Sequence, residues 1–107
     1  MKISKFLLII FCFFTLNIQN SFSEDDKMSK GLEIFNEVAG CAGCHILKAA
    51  GSEGNVGPNL DTVSLTEESV KEMVTYGLGV MPAYGEGILT KEEIDIISFY
   101  VANSVGK

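Results

Sequence analysis

Between Phe6 and Phe14 every position is apolar (FLLIIFCFF), and no run of that kind recurs later in the chain. From Lys30 onward the apolar residues become periodic instead. Leu32, Ile34, Phe35 and Val38 are spaced for one face of a helix over Lys30–Ala39, with Gly40 suited to its end. Ser64 and Glu67, three apart, read as a capping box opening a second helix whose buried stripe is Val70, Met73 and Val74, closed by Gly77. Thr90 and Glu93 form another such box, ahead of a helix in which Ile94, Ile97, Tyr100 and Val101 share a face. Glu24 to Ser29 reads as a charged lead-in, while Ala49–Leu60 and Gly77–Gly87 read as long glycine-rich loops. No repeat and no strand pattern is evident. The expectation is an all-α fold of three or more short helices. Loops this long in so small a domain imply that non-protein matter fills the space they enclose.

The apolar run follows a short basic start, Met1 to Lys5, and leads to Ser21-Phe22-Ser23, with small residues where a signal peptidase cuts. Phe6 to Leu16 falls well short of the roughly 20 residues that cross a bilayer, so residues 1–23 are expected to be a cleaved secretory leader. An uncleaved anchor is the alternative. Cys12 does not mark a lipoprotein site, because Phe11 before it is too large for that cleavage. Residues 24–107 then form one domain of 84 residues, with 6 Lys against 14 Asp and Glu and a formal charge of −8. That balance excludes a nucleic-acid binder, which needs a basic patch to meet phosphates. The hydrophobic content of 47% excludes a disordered acidic tail. So small a core is marginal and is expected to need a disulfide, metal or cofactor.

Losing Cys12 leaves one cysteine pair, in Cys41-Ala42-Gly43-Cys44-His45. The C-x-x-C-H spacing is the attachment signature of c-type haem: two thiols reach two vinyl groups on one side of a porphyrin, and the next residue sets an imidazole under the iron. His45 is the only histidine in the chain. A structural zinc site wants four N or S ligands where three exist, a redox dithiol wants a βαβ context, and a plain disulfide gives His45 no role. A six-coordinate iron needs one more ligand, and the thioethers after the leader are Met28, Met73 and Met81. Met28 lies too near the start of the first helix, and Met73 reads as core filling. Met81 sits in a glycine-bounded loop with Pro82 stiffening the backbone after it, which makes it the axial candidate; an open or Met73-bound site is the alternative.

These residues together resemble a class I c-type cytochrome, similar to the small monohaem cytochromes of bacteria and algae, over essentially all of 24–107. Gly31 and Phe35 match the family's first helix, Gly57-Pro58-Asn59-Leu60 the loop after the haem motif, Val80-Met81-Pro82-Ala83-Tyr84 its methionine segment, and Ile97 and Tyr100 its last helix. The resemblance implies one covalent haem c, with Cys41 and Cys44 as thioethers, His45 and Met81 as axial iron ligands, and the Pro58 carbonyl bonded to the second ring nitrogen of His45. It also implies that Gly31 and Phe35 cross Ile97 and Tyr100. Tyr84 is left open between haem-edge packing and a surface aromatic. The lysines that ring the haem edge in the best-known members are missing, Lys48 being alone between Lys30 and Lys71. The expected function is a soluble periplasmic one-electron carrier without substrate chemistry, serving redox protein partners that carry a basic patch or dock by a largely apolar contact; the alternative reading of the acidity is that it only keeps an exported protein soluble. A dedicated cytochrome subunit of a periplasmic oxidoreductase is the alternative, and a membrane-tethered form the alternative location.

Overall fold

The computed structural model describes residues 22–107, so the expected leader lies, but for its last two residues, outside the described residues. The first helix, α1, spans Glu24–Glu33. It therefore starts six residues before the apolar period does, and the charged lead-in is its opening turn. The reason is local. The Ser23 hydroxyl accepts from the Asp26 amide at 3.2 Å, and Glu24, Asp25 and Asp26 face the positive end of the helix dipole. The helix runs on as one π-helical turn, Ile34–Val38, in which the Ala39 amide donates to the Ile34 carbonyl at 2.9 Å. Gly40, at φ 69°, then turns the chain away in a conformation that favours glycine.

The second helix, α2, spans Glu67–Tyr76, and its cap is Thr66 paired with Ser69, not Ser64 with Glu67. Starting there puts Glu67 and Glu68 in the first turn, where carboxylates are stabilised. Val70 and Val74 are buried, but Met73, expected in the core, is 41% exposed because it sits at the edge of that i, i+4 stripe. The third helix, α3, spans Lys91–Ser104 and opens on the expected box. Thr90 and Glu93 exchange hydrogen bonds of 3.0 and 3.1 Å. Between α1 and α2 lies a strand pair that the sequence pattern did not reveal, β1 (Ile46–Leu47) antiparallel to β2 (Ser52–Glu53), with Ile46 opposite Glu53. Two residues per strand are too few for alternation to register.

The core forms where α1 and its π turn cross α3. Ile34, Phe35 and Ile97 are buried, and the Phe35 and Tyr100 rings lie 6.1 Å apart at 55°. Gly31 makes the crossing close, since a Cβ there would land on Tyr100. A Lys71–Asp95 ion pair at 2.8 Å ties α2 to α3. No helix among the described residues is long and apolar enough to cross a membrane.

Candidate haem centre

The turn at Gly40 delivers the chain into a single 3₁₀ turn, Cys41–Gly43, and the His45 amide closes it by donating to the Cys41 carbonyl at 2.9 Å. Cys41 and Cys44 are free thiols, the first half-buried and the second exposed. Burial pushes the Cys41 thiol up to about 11, its own backbone bond opposing and Cys44 adding to the rise. The His45 ring is held through one nitrogen. Its Nδ1 lies 2.8 Å from the Pro58 carbonyl oxygen, the geometry of an Nδ1–H donating there, which leaves Nε2 as the nitrogen for a metal. Gly57 passes so close beneath the ring that a Cβ on it would stand 2.5 Å from Cε1.

Two further side chains fix this segment, and the sequence pattern pointed to neither. Ser52, buried on β2, donates from Oγ to the His45 carbonyl at 2.8 Å and accepts from the Leu47 amide at 2.9 Å. Asp61 accepts from the Lys48 amide at 2.8 Å and from the Gly106 amide at 2.9 Å. These contacts hold its carboxyl below the ordinary carboxylate value, the Lys48 amide contributing most and the Gly106 amide next. A lone serine on a two-residue strand and a lone aspartate in a single 3₁₀ turn carry no periodic signal, so only their folded neighbours reveal them.

Met81 closes a tight turn, in which Leu78 and Met81 exchange backbone bonds of 3.1 and 3.0 Å, and it packs half-buried against the core. Tyr84 is buried at 9% exposure, not a surface aromatic, and its hydroxyl donates to the Ala39 carbonyl at 3.0 Å. Burial raises the Tyr84 phenol above its ordinary value, with Cys41 and then Cys44 adding to the rise. Val56, Leu78 and Val80, which neighbour Gly57 and Met81 in the chain, are apolar yet exposed. Two free thiols, a histidine oriented by a carbonyl, and uncovered apolar side chains beside the methionine turn fit a covalently held porphyrin. They do not fit zinc: among the described residues, no group of three or more His, Cys, Asp or Glu is placed to hold a metal ion. A groove lined by Lys71, Thr75, Tyr76 and Leu89 lies on the α2–α3 face and contains none of these residues.

Residues 26–101 match the model of the family described as cytochrome C oxidase, cbb3-type, subunit III. Among solved structures, the c-type cytochrome SorU from Sinorhizobium meliloti is 46% identical, with a TM-score of 0.72 over 78% of this chain and 95% of that one. The chain belongs to the c-type cytochromes. As such, this cytochrome is a haem c electron-transfer protein, and Cys41, Cys44 and His45 form its attachment motif. No curated protein matches it.

Proposed function

We propose that this cytochrome is an exported, freely diffusing one-electron carrier with His45 and Met81 as its axial ligands and the periplasm as its compartment. When bound, the haem supplies a single iron that alternates between ferrous and ferric. The orientation of the His45 ring by the Pro58 carbonyl carries this reading. That bond fixes the tautomer and makes the imidazole a stronger donor, the usual task of a group behind a ligand. Met81 is the thioether on the loop that Tyr84 bonds to Ala39, two residues before the motif, and Met73 is on a helix. A soft sulfur ligand favours ferrous iron and raises the potential.

The acid and the hydroxyl nearest the motif, Asp61 and Ser52, are engaged in backbone hydrogen bonds, and the cytochrome is proposed to do no substrate chemistry of its own. Its net charge of −6, or −8 without residues 1–23, favours partners with a basic patch, and such steering weakens with salt. A second reading, a subunit fixed to a larger oxidoreductase, is favoured by the description of the matching family as an oxidase subunit. Purification at native expression separates the two, since a co-purifying catalytic subunit sinks the free carrier.

The test of ligation is the visible spectrum of the exported protein through oxidation and reduction, paired with intact mass. Sharp ferrous bands, a long-wavelength methionine-to-ferric-iron band and the mass of one haem are expected. Haem without the methionine band would overturn Met81 as a ligand. The mass also reports where the leader is cut, expected after Ser23.

A further inference from the structure

The Met81 loop is fastened almost wholly to its own neighbour. The Tyr84 amide donates to the Val74 carbonyl at 2.9 Å, the Gly85 amide to Thr75 at 3.1 Å, and the Leu89 amide to the Tyr84 carbonyl at 2.9 Å. All of these bind the loop to α2 or to itself. Among the described residues, one hydrogen bond joins residues 77–89 to anything before α2, and it is the Tyr84 hydroxyl on the Ala39 carbonyl, 45 residues away in the chain. Its acceptor is also particular. Ala39 stands at the end of the α1 and π-helical run, where carbonyls have no partner further along the helix, and it lies two residues before Cys41. A phenylalanine would fill the same buried space, so packing alone does not require the hydroxyl.

We propose that Tyr84 is a positioning residue for the sixth ligand: its hydroxyl clamps the Met81 loop to the segment that carries Cys41 and His45, and thereby sets how readily Met81 yields its place to another ligand. The inference rests on the reading of Met81 as an axial ligand. Met81 is three residues from the clamp, and apart from packing of Met81 and Tyr84 on the core the turn between them is held only by hydrogen bonds to α2 or within itself. Losing the bond raises the population in which Met81 is displaced, and an incoming ligand binds through that population, so its apparent affinity rises in proportion.

The experiment is a titration of the ferric holoprotein with imidazole, following loss of the methionine band, in the wild type, Tyr84→Phe, Met81→Ala and Ile97→Val. Tyr84→Phe keeps the ring and isolates the hydroxyl, while Ile97→Val weakens the core at the α1–α3 crossing. The expected result is a methionine band in Tyr84→Phe at rest with imidazole binding about fivefold tighter, the effect of one hydrogen bond of ordinary net strength. Ile97→Val should bind imidazole like the wild type even though its thermal midpoint falls. Unchanged affinity in Tyr84→Phe, or equal tightening in Ile97→Val, would overturn the clamp while leaving Met81 as a ligand. A wild type that lacks the band and binds imidazole like Met81→Ala removes the ligand assignment itself, and the clamp with it.

Discussion

Gly31 and Tyr100 meet backbone against side chain at the crossing of α1 and α3, where a Cβ on Gly31 would overlap the Cβ and the first ring carbon of Tyr100. Gly31→Ala is therefore expected to destabilise the fold by about 2 kcal/mol, an overpacking cost that outweighs the roughly 1 kcal/mol by which alanine favours a helix. In a domain of this size that lowers the thermal midpoint by about 10 °C. An unchanged midpoint would mean that the crossing is looser than it stands here.

The His45 ring is pinned between a carbonyl and a backbone. Gly57→Ala would bring a methyl group to within 2.5 Å of Cε1 and 2.9 Å of Nδ1, forcing the ring off the Pro58 carbonyl. The imidazole then becomes a weaker donor and ferric iron is less stabilised. The reduction potential should rise by roughly 40 mV, one hydrogen bond of about 1 kcal/mol at 59 mV per tenfold for one electron. Voltammetry of the purified variant reads this directly, and a fall in potential would contradict it.

Met81→Ala should keep the covalent haem, lose the methionine band and lower the potential by on the order of 0.1 V, since the axial ligand is a main determinant of haem potential. Met73→Leu should change neither band nor potential. If the two variants exchanged these outcomes, the ligand would be the methionine on α2. Spectra and potentials of both proteins decide it.

Acid should loosen the loop that Asp61 holds. Its carboxyl is held below the ordinary value of 3.8, so its contribution is complete above that value and is lost as pH falls through the lower value of the folded protein. Asp61→Ala removes the acceptor for the Lys48 and Gly106 amides and should lower the midpoint at neutral pH. Its midpoint should also fall less steeply than that of the wild type as the pH drops below the ordinary carboxylate value. Parallel acid limbs in the two proteins would show that other carboxylates govern the transition.

What could be seen in the sequence was whatever the chemistry forces into adjacent residues. The haem motif needs its cysteines and histidine side by side, and Thr90 with Glu93 announces α3 because the capping box is contained within four residues. The start of α1 was hidden because Glu24 to Ser29 have no apolar face to give them a period, although Ser23 caps them. The start of α2 was displaced by two residues because Ser64 and Thr66 offer similar hydroxyls, and only the folded chain shows that Ser69 answers Thr66. The burial of Tyr84 is not legible in the sequence for a different reason. The partner of its hydroxyl is a carbonyl 45 residues away, and no spacing rule reaches that far.

Among the described residues, α1 and α3 share the broadest contact of any two elements, so the first and last helices close the chain upon itself. Cys41, His45, Pro58, Met81 and Tyr84 all lie within that one closed loop of about 70 residues, whose closure alone costs about 4 kcal/mol of chain entropy. That cost is met where the two ends meet, at the packing of Ile34 and Phe35 against Ile97 and Tyr100, so the closure of the loop depends on this crossing. The cysteine turn and the methionine turn should therefore be gained and lost together in one cooperative transition. A cut that removes the last turns of α3 should release both, though it touches neither.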